Sequence, residues 1–235
     1  MRCLAIIPAR GGSKRLPRKN VRQLCGKPLA AWSIEAALGA KRLSRVVVSS
    51  DDDEVLSIAA AHGNDLALRR PAEISHDTAL AVTFVEHALR VLETAGEGPY
   101  DAVAIIQPSS PLTTAADIDA TVELLETSGA DSAVSVMAVD HAIHPLKLKR
   151  MEGDRLLPYL EEEKGRMAAH ELPRLFVRNC AVYVSKRHVY ESGQIIGADC
   201  RGYLMPRERS MDINEEIDLA FVEFLLERNK AGAAT

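Results

Sequence analysis

Short apolar runs alternate with helix-patterned stretches over the first 136 residues, and this restricts the fold more than any other feature of the chain. The runs Cys3-Leu4-Ala5-Ile6-Ile7, Arg45-Val46-Val47-Val48-Ser49, Leu66-Ala67-Leu68, Ala102-Val103-Ala104-Ile105-Ile106 and Ser132-Ala133-Val134-Ser135-Val136 read as strands. Runs that are apolar throughout suit strands covered on both faces, as in a parallel sheet. Between them lie segments with helical spacing. One follows Pro28 through Leu29, Trp32, Ile34 and Ala37 and stops near Gly39. Others run through Val55, Ile58 and Ala59, through Val82, Val85, Leu89 and Leu92, and through Ile118, Val122 and Leu125. Strand, helix, strand in this order predicts an α/β fold: a Rossmann-like, mostly parallel sheet flanked by helices and joined by right-handed crossovers. The 235 residues fit one domain, 1–235.

The first strand leads into Arg10-Gly11-Gly12-Ser13-Lys14-Arg15-Leu16-Pro17-Arg18-Lys19-Asn20, where five of eleven residues are basic in a chain of net charge −4. Two glycines permit a tight turn and close backbone approach. Cations at the carboxyl end of a strand, in a sheet of this kind, suit a polyphosphate. The loop is neither a Walker A loop nor the dinucleotide fingerprint. Asp51-Asp52-Asp53, at the end of the second strand, reads as a helix N-terminus complementing its dipole rather than a metal site, with Asp51 the one to watch. Asp77 or Thr78 is expected to cap the helix through Val82.

The slight acidity gives no support to nucleic-acid binding. Cys3, Cys25, Cys180 and Cys200 form no C-x-x-C pair and no zinc spacing, with Cys3 and Cys180 reading as small buried residues. A reduced, cytoplasmic protein without signal peptide or membrane helix is the expectation. His141 and His144 lack a third partner for a metal. From about Asp140 to Arg178 the alternation stops; this segment, 140–178, is expected to protrude, with short strands or a hairpin turning at Gly153-Asp154.

The blocks Ile7-Pro8-Ala9-Arg10-Gly11-Gly12-Ser13-Lys14, Leu16-Pro17-Arg18-Lys19-Asn20 and Gly26-Lys27-Pro28-Leu29 closely resemble the opening of the acylneuraminate cytidylyltransferases. These are the CMP-sialic acid synthetases and their relatives for legionaminic and pseudaminic acids. The resemblance continues through Ser49-Ser50-Asp51-Asp52, Arg70-Pro71-Ala72-Glu73, Asp77-Thr78, Gln107-Pro108-Ser109-Ser110-Pro111-Leu112, Ala130-Asp131-Ser132, Arg178-Asn179 and Pro206 to Ile213, nearly the whole chain. It implies transfer of CMP from CTP to the anomeric hydroxyl of a nonulosonic acid, with release of pyrophosphate and magnesium as cofactor. It makes Ala9, Arg10, Gly11, Gly12, Ser13, Lys14, Asn20 and Arg70 contacts for CTP. Arg10 and Lys19 become the fixed cations at the reacting phosphates, with Lys14 and Arg18 in support. Gln107, Phe176 and Asn179 are expected to touch the sugar. Lys147 and Arg166 are expected to reach a partner subunit's sugar from the protruding segment, whose Pro173-Arg174-Leu175-Phe176 fits a homodimer.

The chain departs from the family pattern at several points. Leu80 and Ala81 stand where serines are frequent, Thr113 where arginine is common, and Cys180 where a glycine is typical. The family's Asp-x-Asp for magnesium is here Asp212-Ile213-Asn214, so the metal calls on Asp212 with Asn214 as a ligand lacking charge. Asp212 with Glu215 also has the form of a capping box for a final helix burying Ile217, Phe221, Phe224 and Leu225. Two other readings stay open: a cytidylyltransferase for another 2-keto-3-deoxy acid such as a 3-deoxy-octulosonate, and a non-catalytic nucleotide-sugar binder.

Overall fold

In the computed structural model, which describes residues 1–160 and 172–232, the five apolar runs supply five strands of a seven-stranded sheet. The strands are β1 (Cys3–Pro8), β2 (Gln23–Leu24), β3 (Lys27–Pro28), β4 (Arg45–Ser50), β5 (Ala67–Arg69), β6 (Ala102–Ile106), β7 (Ser132–Ala138), β8 (Lys149–Glu152), β9 (Arg155–Pro158), β10 (Phe176–Lys186) and β11 (Cys200–Leu204). The helices are α1 (Leu29–Gly39), α2 (Asp53–His62), α3 (Ala81–Thr94), α4 (Ala115–Ser128), α5 (Arg187–Glu191) and α6 (Glu216–Gly232). The sheet order is β11-β7-β10-β6-β1-β4-β5. Within it β10 alone runs antiparallel to its neighbours, β6 and β7. Ile6 pairs in register with Val47 on one side and Ile105 on the other, so β1 is central.

The two faces of β1 show the period-2 rule at work. Cys3, Ala5 and Ile7 pack beneath α1, α2 and α4 on Ile34, Val55, Ile118 and Val122. Leu4 and Ile6 pack on the opposite side, against Val82, Val85 and Leu89 of α3 and against Tyr190. Complete burial pushes the Cys3 thiol up to about 12, which leaves it a neutral core group.

A third apolar cluster does the positioning. Leu16, in the middle of the basic loop, and Ile213, between Asp212 and Asn214, are both buried against Leu24, Leu29 and α6. Two separate charged segments are thus pegged to one core by one apolar residue each. Leu16→Ala is expected to lower stability by about 3 kcal/mol, as cavity-forming leucine truncations do. The urea midpoint should shift at unchanged slope.

Asp52 caps α2, accepting from the amides of Glu54 and Val55. Asp77 and Thr78 do not cap α3, which begins at Ala81 after Leu80, with no side-chain cap. The Asp212–Glu215 capping box does not form either. α6 starts at Glu216, and Asp218 reaches back to the amides of Asn214 and Glu215. The buried face of α6 is Leu219, Val222, Leu225 and Leu226, while Ile217, Phe221 and Phe224 are exposed and the two phenylalanine rings stack together. Only Leu225 of the expected four is buried, because the helix docks on Leu16, Leu24 and Leu29 through its leucine side.

Between β7 and β10 the described chain makes two 3-10 turns, His141–Ile143 and Pro145–Lys147, and the hairpin β8–β9, whose strands pair only with each other. His144 is buried, with Nε2 against Pro173 O and Nδ1 accepting from the Leu146 amide, so it is a structural residue. Cys180 is half-buried at φ +61° where β10 breaks register with β7, so it is a bulge residue rather than a core one.

Candidate active site

The loop after β1 is held from below. Ala9 donates its amide to Ser49 O and accepts from Ser50 Oγ at 2.6 Å. The Gly11 amide donates to Asp51 Oδ1 at 3.0 Å, and that of Ser13 donates to Gly11 O. A Cβ on Gly11 would stand 2.7 Å from Asp52 Oδ2, so glycine is needed there, whereas Gly12 has open space around it. Asp51 is therefore a support for the loop. The amides of Ala9, Gly11 and Ser13 are thus engaged inside the protein. Ala9 is itself fully buried.

Side chains of the loop line a cavity of about 240 Å³ at the carboxyl ends of β1 and β6. Arg10, Ser13, Lys14, Arg15, Lys19 and Asn20 come from the loop, Gln107 and Ser109 from the end of β6, and Asn214 from the C-terminal motif. Asn20 is buried; its Nδ2 donates to Arg10 O at 2.8 Å, and its Oδ1 has no partner. Lys19 Nζ donates to Ile213 O at 2.8 Å, tying the loop to the Asp212 segment. Burial lowers the Lys19 ammonium from its usual 10.5; Asp212 opposes this, and Arg15 and Arg10 add to it. Arg18 does not line this cavity and pairs with Asp52 and Glu54.

A second cavity of about 220 Å³ adjoins the first, sharing Pro8, Arg10 and Gln107. Its floor holds Arg70, which is 5% exposed; the guanidinium donates to Ser49 O and Oγ and lies 4.9 Å from the centre of the Phe84 ring. Burial pushes Arg70 down to about 10, and Asp51 works against that shift, so it stays charged at neutral pH. Asp77 also lines this cavity and pairs with both Arg10 and Lys14.

The C-terminal motif carries the acid. Asp212 Oδ2 accepts from Asn214 Nδ2 at 2.8 Å, while Asp212 Oδ1 is buried without any partner. Asn214 Oδ1 accepts from Arg15 at 2.8 Å. A donor on one side and an acceptor on the other fix the orientation of this amide. Asn214 is thus a bridge between Arg15 and Asp212. Among the described residues no group of three or more His, Cys, Asp or Glu side chains is arranged to hold a metal by itself.

Arg10, Lys14, Lys19, Asn20, Gln107, Asp212 and Asn214 are therefore gathered at one place, and Arg70 beside it. Asn179 is not presented to a ligand. It is buried, accepting from Ser135 Oγ and donating to Ser210 Oγ, and its amide holds the C-terminal motif to the sheet. Lys147 and Phe176 do not line the main cavity, and Arg166 lies outside the described residues. Arg15 carried no assigned role in the sequence despite lying in the basic loop. Asp77, expected with Thr78 as the alternative cap of α3, instead pairs with Arg10 and Lys14.

A ligand cavity lined by cations at the carboxyl ends of central strands defines a nucleotide-handling α/β enzyme. Residues 4–190 match the family model described as cytidylyltransferase, and the chain belongs to that family of nucleotidyltransferases. It is 31% identical to the CMP-N,N'-diacetyllegionaminic acid synthase of Legionella pneumophila over 98% of both chains. It is 29% identical to the pseudaminic acid cytidylyltransferase of Campylobacter jejuni over 99% of this chain and 100% of that one. The N-acylneuraminate cytidylyltransferase of Escherichia coli O18:K1:H7 is 30% identical over 92% of this chain, which spans half of that protein's length. In fold the chain resembles the CMP:2-keto-3-deoxy-manno-octonic acid synthetase solved with CTP, at a TM-score of 0.70 and 19% identity over 97% of this chain and 100% of that one.

Proposed function

We propose that the protein transfers CMP from CTP to the anomeric hydroxyl of a nonulosonic acid, releasing pyrophosphate. The observation that carries this reading is the convergence of Arg10, Lys14, Arg15 and Lys19 on one cavity that Asn214 also lines, with Asp212 hydrogen-bonded behind Asn214. Negative charge builds on the α-phosphoryl oxygens and the departing pyrophosphate, and cations fixed beforehand lower that barrier. Arg10 and Lys19 do this at the reacting phosphate, with Lys14 and Arg15 further along the chain of phosphates. The second cavity, floored by Arg70, receives the pyrimidine end of the nucleotide. Gln107, on the wall between the two cavities, orients the sugar acid.

The site fits magnesium. Asp212 Oδ1 is a buried anionic oxygen with no hydrogen-bond donor, the kind of atom a hard cation takes. Magnesium commonly rests on one or two carboxylates together with substrate phosphates, so a single aspartate is sufficient. Asp212 would hold it and Asn214 would orient Asp212. When bound, the ion would supply further neutralisation of phosphate charge.

The exposed apolar side chains Ile143, Met151, Leu156, Tyr159 and Phe176, on and beside the excursion between β7 and β10, support a homodimer built there. The four free cysteines suit a reducing compartment. No helix among the described residues is long and apolar enough to cross a membrane.

Pyrophosphate release tests the reading. It is expected to require CTP, one nonulosonic acid and magnesium together, and to stop with EDTA. Clear CTP binding with no release under any combination would instead favour a nucleotide-sugar binder. In parallel, Asp212→Asn is expected to weaken binding of manganese, followed by its EPR signal, without loss of fold.

A further inference from the structure

Asp77 lies between β5 and α3, and its carboxylate is shared between two cations. Oδ1 stands 2.8 Å from Arg10 Nη1, and Oδ2 meets Lys14 Nζ. Helix capping does not account for it, because α3 begins at Ala81 and has no side-chain cap. Asp77 lines the second cavity, while the two cations it holds line the first. An oxyanion set between a guanidinium and an ammonium has the same chemistry as a phosphate group bound there.

We infer that Asp77 is a placeholder anion for the phosphate site, holding Arg10 and Lys14 in place when the site is empty, yielding them to the triphosphate and recapturing them as pyrophosphate leaves. This rests on the CTP-dependent reading above. The exchange is physically accessible. Both ion pairs are open to water, with about a third of each of the Arg10 and Asp77 side chains exposed, and exposed pairs are weak. A polyphosphate carries several charges against the one carboxylate. The Lys14 hydrogen bond, with Arg10 adding to it, holds the Asp77 carboxyl below its usual value of 3.8, so the placeholder is charged at neutral pH. Its recapture of the cations lowers the hold on the product and so favours turnover.

The test is Asp77→Asn, which keeps the shape and removes the charge, with Asp77→Ala beside it. Calorimetric titration with inorganic pyrophosphate alone should show binding about five- to tenfold tighter than in the unmodified protein, the scale expected when two exposed pairs no longer compete. In turnover, KM for CTP and kcat should fall together, because product leaves more slowly. Pyrophosphate affinity that is unchanged or weaker in both variants overturns the inference while the unmodified protein still binds CTP. An unmodified protein that binds no CTP overturns the functional reading itself, and this inference with it.

Discussion

Lys19→Ala and Arg10→Ala are each expected to lower kcat about 100- to 1000-fold, the usual loss when one fixed donor to a developing oxyanion is removed. Lys19 should also cost more than its charge. Its ammonium donates to Ile213 O, and Ile213 sits between Asp212 and Asn214 in the buried cluster shared with Leu16. Losing that bond loosens the basic loop from the acidic motif. Lys19→Arg, which keeps the charge, should therefore recover only part of the rate. Arg10 is half-buried and its one ion pair, to Asp77, is open to water, so Arg10→Ala should leave the thermal midpoint nearly unchanged. Steady-state kinetics with melting curves on each variant checks both statements, and near-normal turnover in either alanine variant would remove the cations from the chemistry.

Asp117→Ala is expected to lower stability by about 3 kcal/mol, within the range for breaking a buried charge pair and discounted because Arg209 can turn toward water. Asp117 is fully buried, and its carboxylate accepts from Thr114, Tyr203 and both Nε and Nη2 of Arg209. It closes a capping box at the start of α4 and holds the 3-10 turn Arg207–Arg209 just ahead of Asp212. Burial alone would push its carboxyl up, but the hydrogen bonds from Arg209 and Thr114 outweigh burial and hold it below its usual 3.8. A carboxyl held low in the folded state stabilises the protein fully above its unfolded value, near 4, and loses that contribution as pH falls through the folded value. Urea denaturation at pH 7 and along an acid series should thus show a large gap between the unmodified protein and Asp117→Ala that closes only below about pH 4. A constant gap down to pH 2 would contradict this.

The central strands were legible because a strand covered on both faces needs an apolar run, as β6 has over its whole length and β4 at Val46 to Val48. The acidic start of α2 was legible because the cap is local, Asp52 accepting from the amides two and three residues further on. Features decided by distant partners were not. The stretch Ile217 to Leu226 is apolar on more than one side, so its own pattern does not choose a face; the leucines of the basic loop and α1 choose it. Asp77 before a helix reads as a cap until Arg10 and Lys14 are brought beside it. The departure at Asn214 was visible in the motif, but its bridging of Arg15 and Asp212 depends on three side chains from two ends of the chain. Asn179 marked an important position, and its burial shows that it braces Ser135 and Ser210 instead of facing solvent.

The most direct test of the central claim is to incubate the protein with CTP, magnesium and N-acetylneuraminate, legionaminate or pseudaminate in separate reactions and to identify the products by mass spectrometry. The account predicts a CMP-linked acid from one of these substrates, formed one for one with pyrophosphate. CTP consumed to free CMP, or CTP bound with no conjugate from any acid, would contradict it.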